Sequence, residues 1–157
     1  KSVCDAYHPT AYERYKAWAD DYFYLPHRNE TRGVGGIFFD HLVPESDEDR
    51  IKIFDFCLAL GRNFPVLYKD QTSEIHPEAT QVQVDWQALR RSRYVEYNLL
   101  FDRGTKFGIV SNGRTESILL SMPPSATWKY NYVPDAGSEE EQTIERLKKH
   151  VDWISFL

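Results

Sequence analysis

One proline and three glycines fall within residues 26–36, and this cluster limits the fold of the chain more than any other sequence feature. Before the cluster, apolar residues recur at three- and four-residue steps over residues 10–24, which predicts an amphipathic helix that Pro26 closes. After it, the short apolar run at residues 37–39 predicts a strand. The cluster therefore separates a helix from a strand, and it places His27 at the end of that helix.

The size and charge of the chain restrict its class. With 157 residues, 41% of them apolar, it suits one core of ordinary size and predicts a single domain. The net charge of −5 argues against general nucleic-acid binding, because a polyphosphate footprint needs an excess of Lys and Arg. Cys4 and Cys57 form no CxxC pair, which fits a reducing compartment. No signal peptide or membrane-spanning apolar run is recognised, so we predict a soluble, cytoplasmic protein.

Caps and apolar spacing predict three further helices. The first begins after Ser46. The second covers residues 86–93, and the third runs from Ser138 to about Lys149. The last has the spacing of a capping box, because Glu141 follows Ser138 by three residues. Between the first two helices, Pro65 and the polar segment 69–78 predict a surface excursion.

Residues 94–110 predict a β-hairpin. Residues rich in β-formers fill 94–101, residues 102–104 form a turn, and residues 105–110 give the second strand. Asn112-Gly113 is a further strong turn pair, and the apolar spacing of residues 117–122 does not decide between strand and helix. These patterns predict an α+β domain.

Several common chemistries find no support in the motifs. The glycines at 33–36 lack GxGxxG spacing and lead into a strand, whereas phosphate loops open a helix. No serine lies in GxSxG, and neither cysteine has a base nearby in sequence. The five histidines show no HExxH-like pairing, so the sequence alone predicts no closed metal site, although two of them could each supply one ligand. The histidines are His8, His27, His41, His76 and His150, and the two possible ligands are His27 and His41.

Arginines at element ends are the remaining candidates for a site. They are Arg28, Arg32, Arg103 and Arg114. Guanidinium groups bind carboxylates bidentately, and neighbouring glycines let a ligand approach the backbone, so the set suits a substrate with several carboxylates. The alternative is that these arginines are solvated or paired with local acids such as Glu30 and Asp102. The pattern alone leaves both interpretations open.

Two long runs carry a resemblance to a known family. AWADDYFYLPHRNETRGVGGIFFDHL and RRSRYVEYNLLFDRGTKFGIVSNGRTESILLSMPPSATWKYNYVP, with the ending DWI, resemble oxygen-dependent coproporphyrinogen-III oxidase, the aerobic enzyme of haem biosynthesis. The resemblance implies an α+β fold in which a large, flat antiparallel sheet is flanked by helices, in a homodimer. It also implies oxidative decarboxylation of two propionates of coproporphyrinogen III to vinyl groups, giving protoporphyrinogen IX. O2 is the oxidant, and no haem, flavin or nicotinamide is expected.

The resemblance also assigns residues. Arg28 and Arg32 would hold propionate carboxylates, and the turn Asn112, Gly113 and Arg114 would contact coproporphyrinogen. His27 matches a metal ligand described for bacterial members, which would use a divalent metal such as Mn, whereas animal and yeast members are described as metal-free. The segment from Tyr94 to Trp128 corresponds to the region considered important for dimerisation.

The chain also departs from the family pattern. It corresponds to the C-terminal part of family members, and Lys1 to Asp5 resemble the end of an element already under way, so we expect a fragment. The proposed proton-donor histidine, a GGGCDLTP-like stretch with a catalytic carboxylate and further metal-ligand histidines lie upstream in the family, so no catalytic residue is assigned here. A non-catalytic tetrapyrrole- or polycarboxylate-binding module is the alternative function, and the mitochondrial intermembrane space is the alternative location.

Overall fold

A computed structural model describes residues 1–73 and 78–156, and in these ranges the chain is mostly helical. The helices are α1 (Ser2–Tyr7), α2 (Ala11–Tyr22), α3 (Asp47–Ser73), α4 (Gln81–Leu100), α5 (Arg103–Val110), α6 (Thr115–Ile118) and α7 (Glu139–Arg146), followed by a 3-10 helix (Trp153–Phe156). Two short strands, β1 (Tyr24–Leu25) and β2 (Glu30–Thr31), form an antiparallel pair. The described residues contain this two-stranded pair alone, so they do not show the large flat sheet implied by the resemblance.

The chain divides into two compact units. The first comprises Lys1–Ala19 and Gly36–Ala79, and the second comprises Asp20–Gly35 and Thr80–Leu157. The expectation of a single domain over residues 1–157 stays a prediction. No helix in the described ranges is long and apolar enough to cross a membrane.

An aromatic cluster forms the core of the first unit, where α1 packs on α3. Tyr15 and Phe56 are almost fully buried, and Tyr7 stacks on Phe56 with ring centroids 4.4 Å apart. Phe39 also packs on Phe56, at 5.2 Å between centroids. The predicted strand at 37–39 is wrong, because these residues lie in a loop, from which Ile37 and Phe39 pack against the buried cluster.

Helix α3 begins as predicted and runs further. The Ser46 hydroxyl accepts the Asp49 N–H at 3.1 Å, which confirms the predicted cap. Pro65 lies inside this helix, which continues to Ser73. The predicted surface excursion is therefore wrong for residues 65–73, because they are helical. Polar residues there do not end a helix, because its backbone bonds are internal and its side chains reach water. Residues 74–77, which include His76, lie outside the described residues.

The predicted hairpin at 94–110 is wrong, because this segment is helical. Helix α4 begins at a capping box between Thr80 and Gln83 and continues to Leu100, well beyond the predicted end at residue 93. Its buried residues Leu89, Ser92, Arg93, Glu96 and Tyr97 follow three- and four-residue steps, so one helix face is buried. Asp102 is the N-cap of α5 and accepts the Thr105 N–H at 2.6 Å.

The turn predicted at Asn112-Gly113 is confirmed, although it joins two helices. Asn112 has a φ of 59°, in the left-handed region that asparagine tolerates. A Cβ at Gly113 would lie 3.0 Å from the Gly108 carbonyl oxygen, which explains the glycine. The undecided segment 117–122 contains the end of α6 followed by a turn.

The last predicted helix is confirmed at its start and shorter at its end. The Ser138 hydroxyl accepts the Glu141 N–H at 3.2 Å, but the Glu141 carboxylate accepts the Gly137 N–H instead of the Ser138 N–H. Only half of the predicted capping box therefore forms. The helix ends at Arg146, and Lys149 beyond it pairs with Asp21 at 2.7 Å.

Candidate functional site

His27 and Arg28 lie in the turn that connects β1 to β2, in the second unit. The backbone N–H of Arg28 donates to the Leu25 carbonyl at 3.0 Å, and Asn29 has a φ of 53°. Leu25 is fully buried where β1 packs on α4. The buried strand therefore directs the turn to α4, whereas the sequence placed His27 at the end of a helix that stops at Tyr22.

Glu96, in the middle of α4, binds both side chains of this turn. The His27 Nε2 lies 2.8 Å from Glu96 Oε2. Arg28 donates through Nε to Oε2 at 3.0 Å and through Nη2 to Oε1 at 2.6 Å. Trp128 Nε1 and Arg93 Nη1 also donate to Oε1, at 2.9 and 3.4 Å. The carboxylate thus connects the turn, the helix and the loop that contains Trp128.

The hydrogen bonds at Glu96 control its protonation. The residue is 8% exposed, and burial alone raises the pKa of a carboxyl group. Hydrogen bonds from Arg28, His27 and Trp128 outweigh burial and hold the pKa of Glu96 at about 2, below its ordinary value of 4.5. Glu96 is therefore ionised at neutral pH.

Glu30 forms a second buried ion pair beside the first. It is 4% exposed and accepts from Arg90 Nη1 at 2.9 Å and from Arg93 Nε at 3.1 Å. Arg93 contacts both carboxylates, and burial lowers its pKa. The cluster thus joins three guanidinium groups to two carboxylates. A cavity of about 280 Å³ lies beside the cluster, and its lining includes the three arginines, Glu30 and Trp86.

Arg32 lies in a different environment. Its guanidinium carbon is 4.2 Å from the centroid of the Phe23 ring, 5.0 Å from that of Tyr94 and 5.5 Å from that of Tyr97. Its Nε is buried without a hydrogen-bond partner among the described residues, and burial lowers its pKa. The rings stabilise the cation by cation–π attraction. The rings do not accept a conventional hydrogen bond from Nε, so this donor remains available to bind an anion.

The other predicted substrate residues lie on the surface between α5 and α6. Asn112, Gly113 and Arg114 are exposed, and Arg114 is the N-cap of α6 without a side-chain cap bond. Within the described ranges, no hydrogen bond or ion pair links this turn to Arg28 or Arg32. Their role in substrate binding stays a prediction.

The described residues do not form a metal site. They contain no group of three or more His, Cys, Asp or Glu side chains that could hold a metal. His27 directs Nε2 to Glu96, and its Nδ1 makes no hydrogen bond to a described residue. His41 is exposed and lies 3.6 Å from Asp40. His27 could therefore supply at most one ligand, through Nδ1.

The sequence did not identify Glu96, Arg93 and Trp128 as site residues. The alternative interpretation of paired arginines fits Arg28, but the partner is Glu96 instead of Glu30. One signal was available. If the predicted helix is continued past residue 93, Leu89, Arg93 and Glu96 fall on one face, and this face is buried. Charged side chains on a buried face need partners, so the pattern indicates a cluster of ion pairs.

Comparison with known proteins identifies the family. A sequence model described as "Coproporphyrinogen III oxidase" matches residues 1–153. The chain belongs to the coproporphyrinogen III oxidase family.

Its relatives carry a more specific name. Oxygen-dependent coproporphyrinogen-III oxidase from Francisella tularensis subsp. holarctica (strain OSU18) is 49% identical over 98% of this chain and 49% of its own length. The protein of that name from Dictyostelium discoideum is 50% identical over 99% of this chain and 47% of its own. The chain thus spans about half the length of the curated relatives it matches.

Proposed function

We propose that the protein acts as an oxygen-dependent coproporphyrinogen-III oxidase. The reaction converts two propionates of coproporphyrinogen III to vinyl groups with loss of CO2, giving protoporphyrinogen IX. The observation that carries this proposal is the similarity over 98% of the chain to relatives of that name. Arg28 and Arg32 of the second unit support it, because the substrate bears four carboxylates.

Arg32 is proposed to bind a propionate. Its buried Nε lacks a partner, and a carboxylate would supply the hydrogen bonds and the charge that the aromatic rings do not. Arg28 uses Nε and Nη2 on Glu96, so only Nη1 remains for a second carboxylate. A carboxylate held by arginine would keep the substrate oriented for reaction at the neighbouring carbon. The positive charge of the arginines would also stabilise negative charge that develops on oxygen in the transition state. The turn at Asn112, Gly113 and Arg114 would contact the substrate.

No organic cofactor beyond O2 is part of this proposal. If the protein uses a divalent metal such as Mn, His27 would be one ligand through Nδ1, and the other ligands would come from outside the described residues. Such an ion would act as a Lewis acid on a bound oxygen atom.

A homodimer is proposed with residues 94–128 at the interface. Large apolar side chains are exposed along this segment, which fits a surface covered by a partner. They include Leu99, Leu100, Phe107, Ile109, Val110 and Leu120. A large, flat antiparallel sheet flanked by helices is proposed for the family fold, of which this chain spans a part. The proposed location is the cytoplasm.

Turnover of coproporphyrinogen III tests the proposal. The protein is incubated with the substrate in air and under nitrogen, and the Francisella tularensis relative is the positive control. We expect protoporphyrinogen IX in air alone. Binding without product, while the relative is active, would contradict the oxidase and indicate a non-catalytic tetrapyrrole-binding module.

A further inference from the structure

The contact between His27 and Glu96 determines which ring nitrogen carries a proton. Glu96 Oε2 and an unprotonated ring nitrogen are both acceptors, and two acceptors 2.8 Å apart would repel each other. Glu96 Oε2 also accepts from Arg28 Nε, and Oε1 accepts from Arg28, Arg93 and Trp128, so both oxygens of the carboxylate are acceptors and neither donates. The proton must therefore lie on His27 Nε2. In the neutral ring, Nδ1 then carries the lone pair.

The surroundings hold this ring in place and leave Nδ1 unoccupied. His27 stacks on Phe101, with ring centroids 5.7 Å apart and an angle of 21° between the planes. Its side chain is 40% exposed, and Nδ1 makes no hydrogen bond to a described residue. A fixed, accessible acceptor of this kind can receive a hydrogen bond from a ligand.

We propose that Glu96 is a positioning residue that keeps His27 as the Nε2–H tautomer, so that Nδ1 accepts a hydrogen bond from a pyrrole N–H of the substrate. The inference rests on the proposed function, because it takes the tetrapyrrole as the ligand. Pyrrole nitrogens in the reduced macrocycle are N–H donors, so they need an acceptor. The arginines of the cluster carry only donors, and His27 Nδ1 complements them.

The bonds at the two carboxylate oxygens predict what an amide would do in Glu96→Gln. Position Oε1 faces three donors, from Arg28, Arg93 and Trp128. Position Oε2 faces His27 Nε2 and Arg28 Nε. The amide oxygen is favoured at Oε1, so the amide N–H group faces His27. Nε2 must then accept, and the ring proton moves to Nδ1.

Glu30 supplies the matched control. It is buried like Glu96, and Glu30→Gln removes the same charge. Its hydrogen bonds come from Arg90 and Arg93, and it makes no hydrogen bond to His27. Glu30→Gln should therefore keep the His27 tautomer, whereas a general loss of charge or stability would affect both variants.

The test is the tautomer of His27 in the whole protein labelled with 15N-histidine. Two-bond 1H–15N spectra distinguish Nε2–H from Nδ1–H rings, and His27→Gln assigns the signal. We expect His27 to be the Nε2–H tautomer in the wild-type protein and in Glu30→Gln, and the Nδ1–H tautomer in Glu96→Gln. An Nδ1–H ring in the unchanged protein, or an unaltered Nε2–H ring in Glu96→Gln, overturns the inference.

Turnover of coproporphyrinogen III gives the second readout. Glu96→Gln should lower kcat/KM about 10- to 100-fold, the usual effect of losing a residue that orients a histidine. Glu96→Asp, which keeps the charged acceptor, should retain part of the activity; Glu30→Gln is compared only by the tautomer of His27, because Glu30 belongs to the same cluster. A switched tautomer with unchanged kcat/KM overturns the role of Nδ1. Absence of turnover in the unchanged protein would contradict the proposed function, and the spectra would still report whether Glu96 sets the tautomer.

Discussion

The hydrogen bonds at Glu96 predict a specific loss of stability in acid. Its pKa in the folded protein is about 2, below the ordinary value of 4.5. Ionised Glu96 therefore stabilises the folded state. This contribution is fully present above the ordinary pKa and is lost as the pH falls towards the folded pKa.

The pKa difference sets the magnitude. At about 1.4 kcal/mol per pH unit, the shift from 4.5 to about 2 corresponds to about 3 kcal/mol of unfolding free energy. About 2 kcal/mol of this would be lost between about pH 7 and about pH 3. Glu96→Gln cannot ionise at this site, so it should be less stable than the unchanged protein at neutral pH, and the difference should shrink in acid.

Urea unfolding followed by tryptophan fluorescence measures this difference at several pH values. Glu116→Gln is a control, because it removes the same charge from an exposed site. A difference between Glu96→Gln and the unchanged protein that stays constant from about pH 7 to about pH 3 would refute the reasoning, because the stabilisation would then not depend on the ionised carboxylate.

Four other substitutions test separate parts of the account. Arg32→Ala in the whole enzyme should cost roughly 2–5 kcal/mol of transition-state stabilisation while circular dichroism stays unchanged, and an unaltered kcat/KM would contradict the propionate assignment. Leu99→Asp should give a monomer in sedimentation if this exposed residue lies at the dimer interface, whereas Arg114→Ala should remain a dimer and bind coproporphyrinogen more weakly; the opposite pattern would be contrary to the proposal. Gly113→Ala should lower the unfolding free energy by about 1 kcal/mol or more in urea, since its Cβ would lie 3.0 Å from a backbone oxygen, and equal stability would disprove that restraint.

Helix starts could be predicted because their signals are local. The Ser46 hydroxyl accepts a hydrogen bond from Asp49, three residues later, and Ser138 does the same for Glu141. Such caps depend on neighbouring residues alone. Helix ends depend on packing further along the chain. Helix α3 consequently continues through Pro65 to Ser73, where the sequence predicted a surface excursion.

The hairpin prediction failed because local propensity was outweighed by burial. Aromatic and β-branched residues in the segment 94–101 favour a strand. In the structure, Glu96 and Tyr97 are buried together with Leu89 and Arg93, and only a helix brings these four positions to one face. Asp102 then caps the next helix, although the sequence around it also suits a hairpin turn.

The site could be predicted only in part. The resemblance and the arginine pattern propose His27, Arg28 and Arg32 as site residues, and these lie within six residues of chain. Glu96 lies 69 residues from His27 in sequence, and no local pattern links the two. Long-range pairs of this kind form when helix and strand pack together, so they became visible only in the folded chain.

The most direct test of the account is the ratio of CO2 released to coproporphyrinogen III consumed by the protein. Oxidative decarboxylation of two propionates predicts about two CO2 for each tetrapyrrole in air and none without O2, because O2 is the proposed oxidant. Loss of tetrapyrrole without CO2, or equal CO2 release in the absence of O2, would contradict the proposed oxidase.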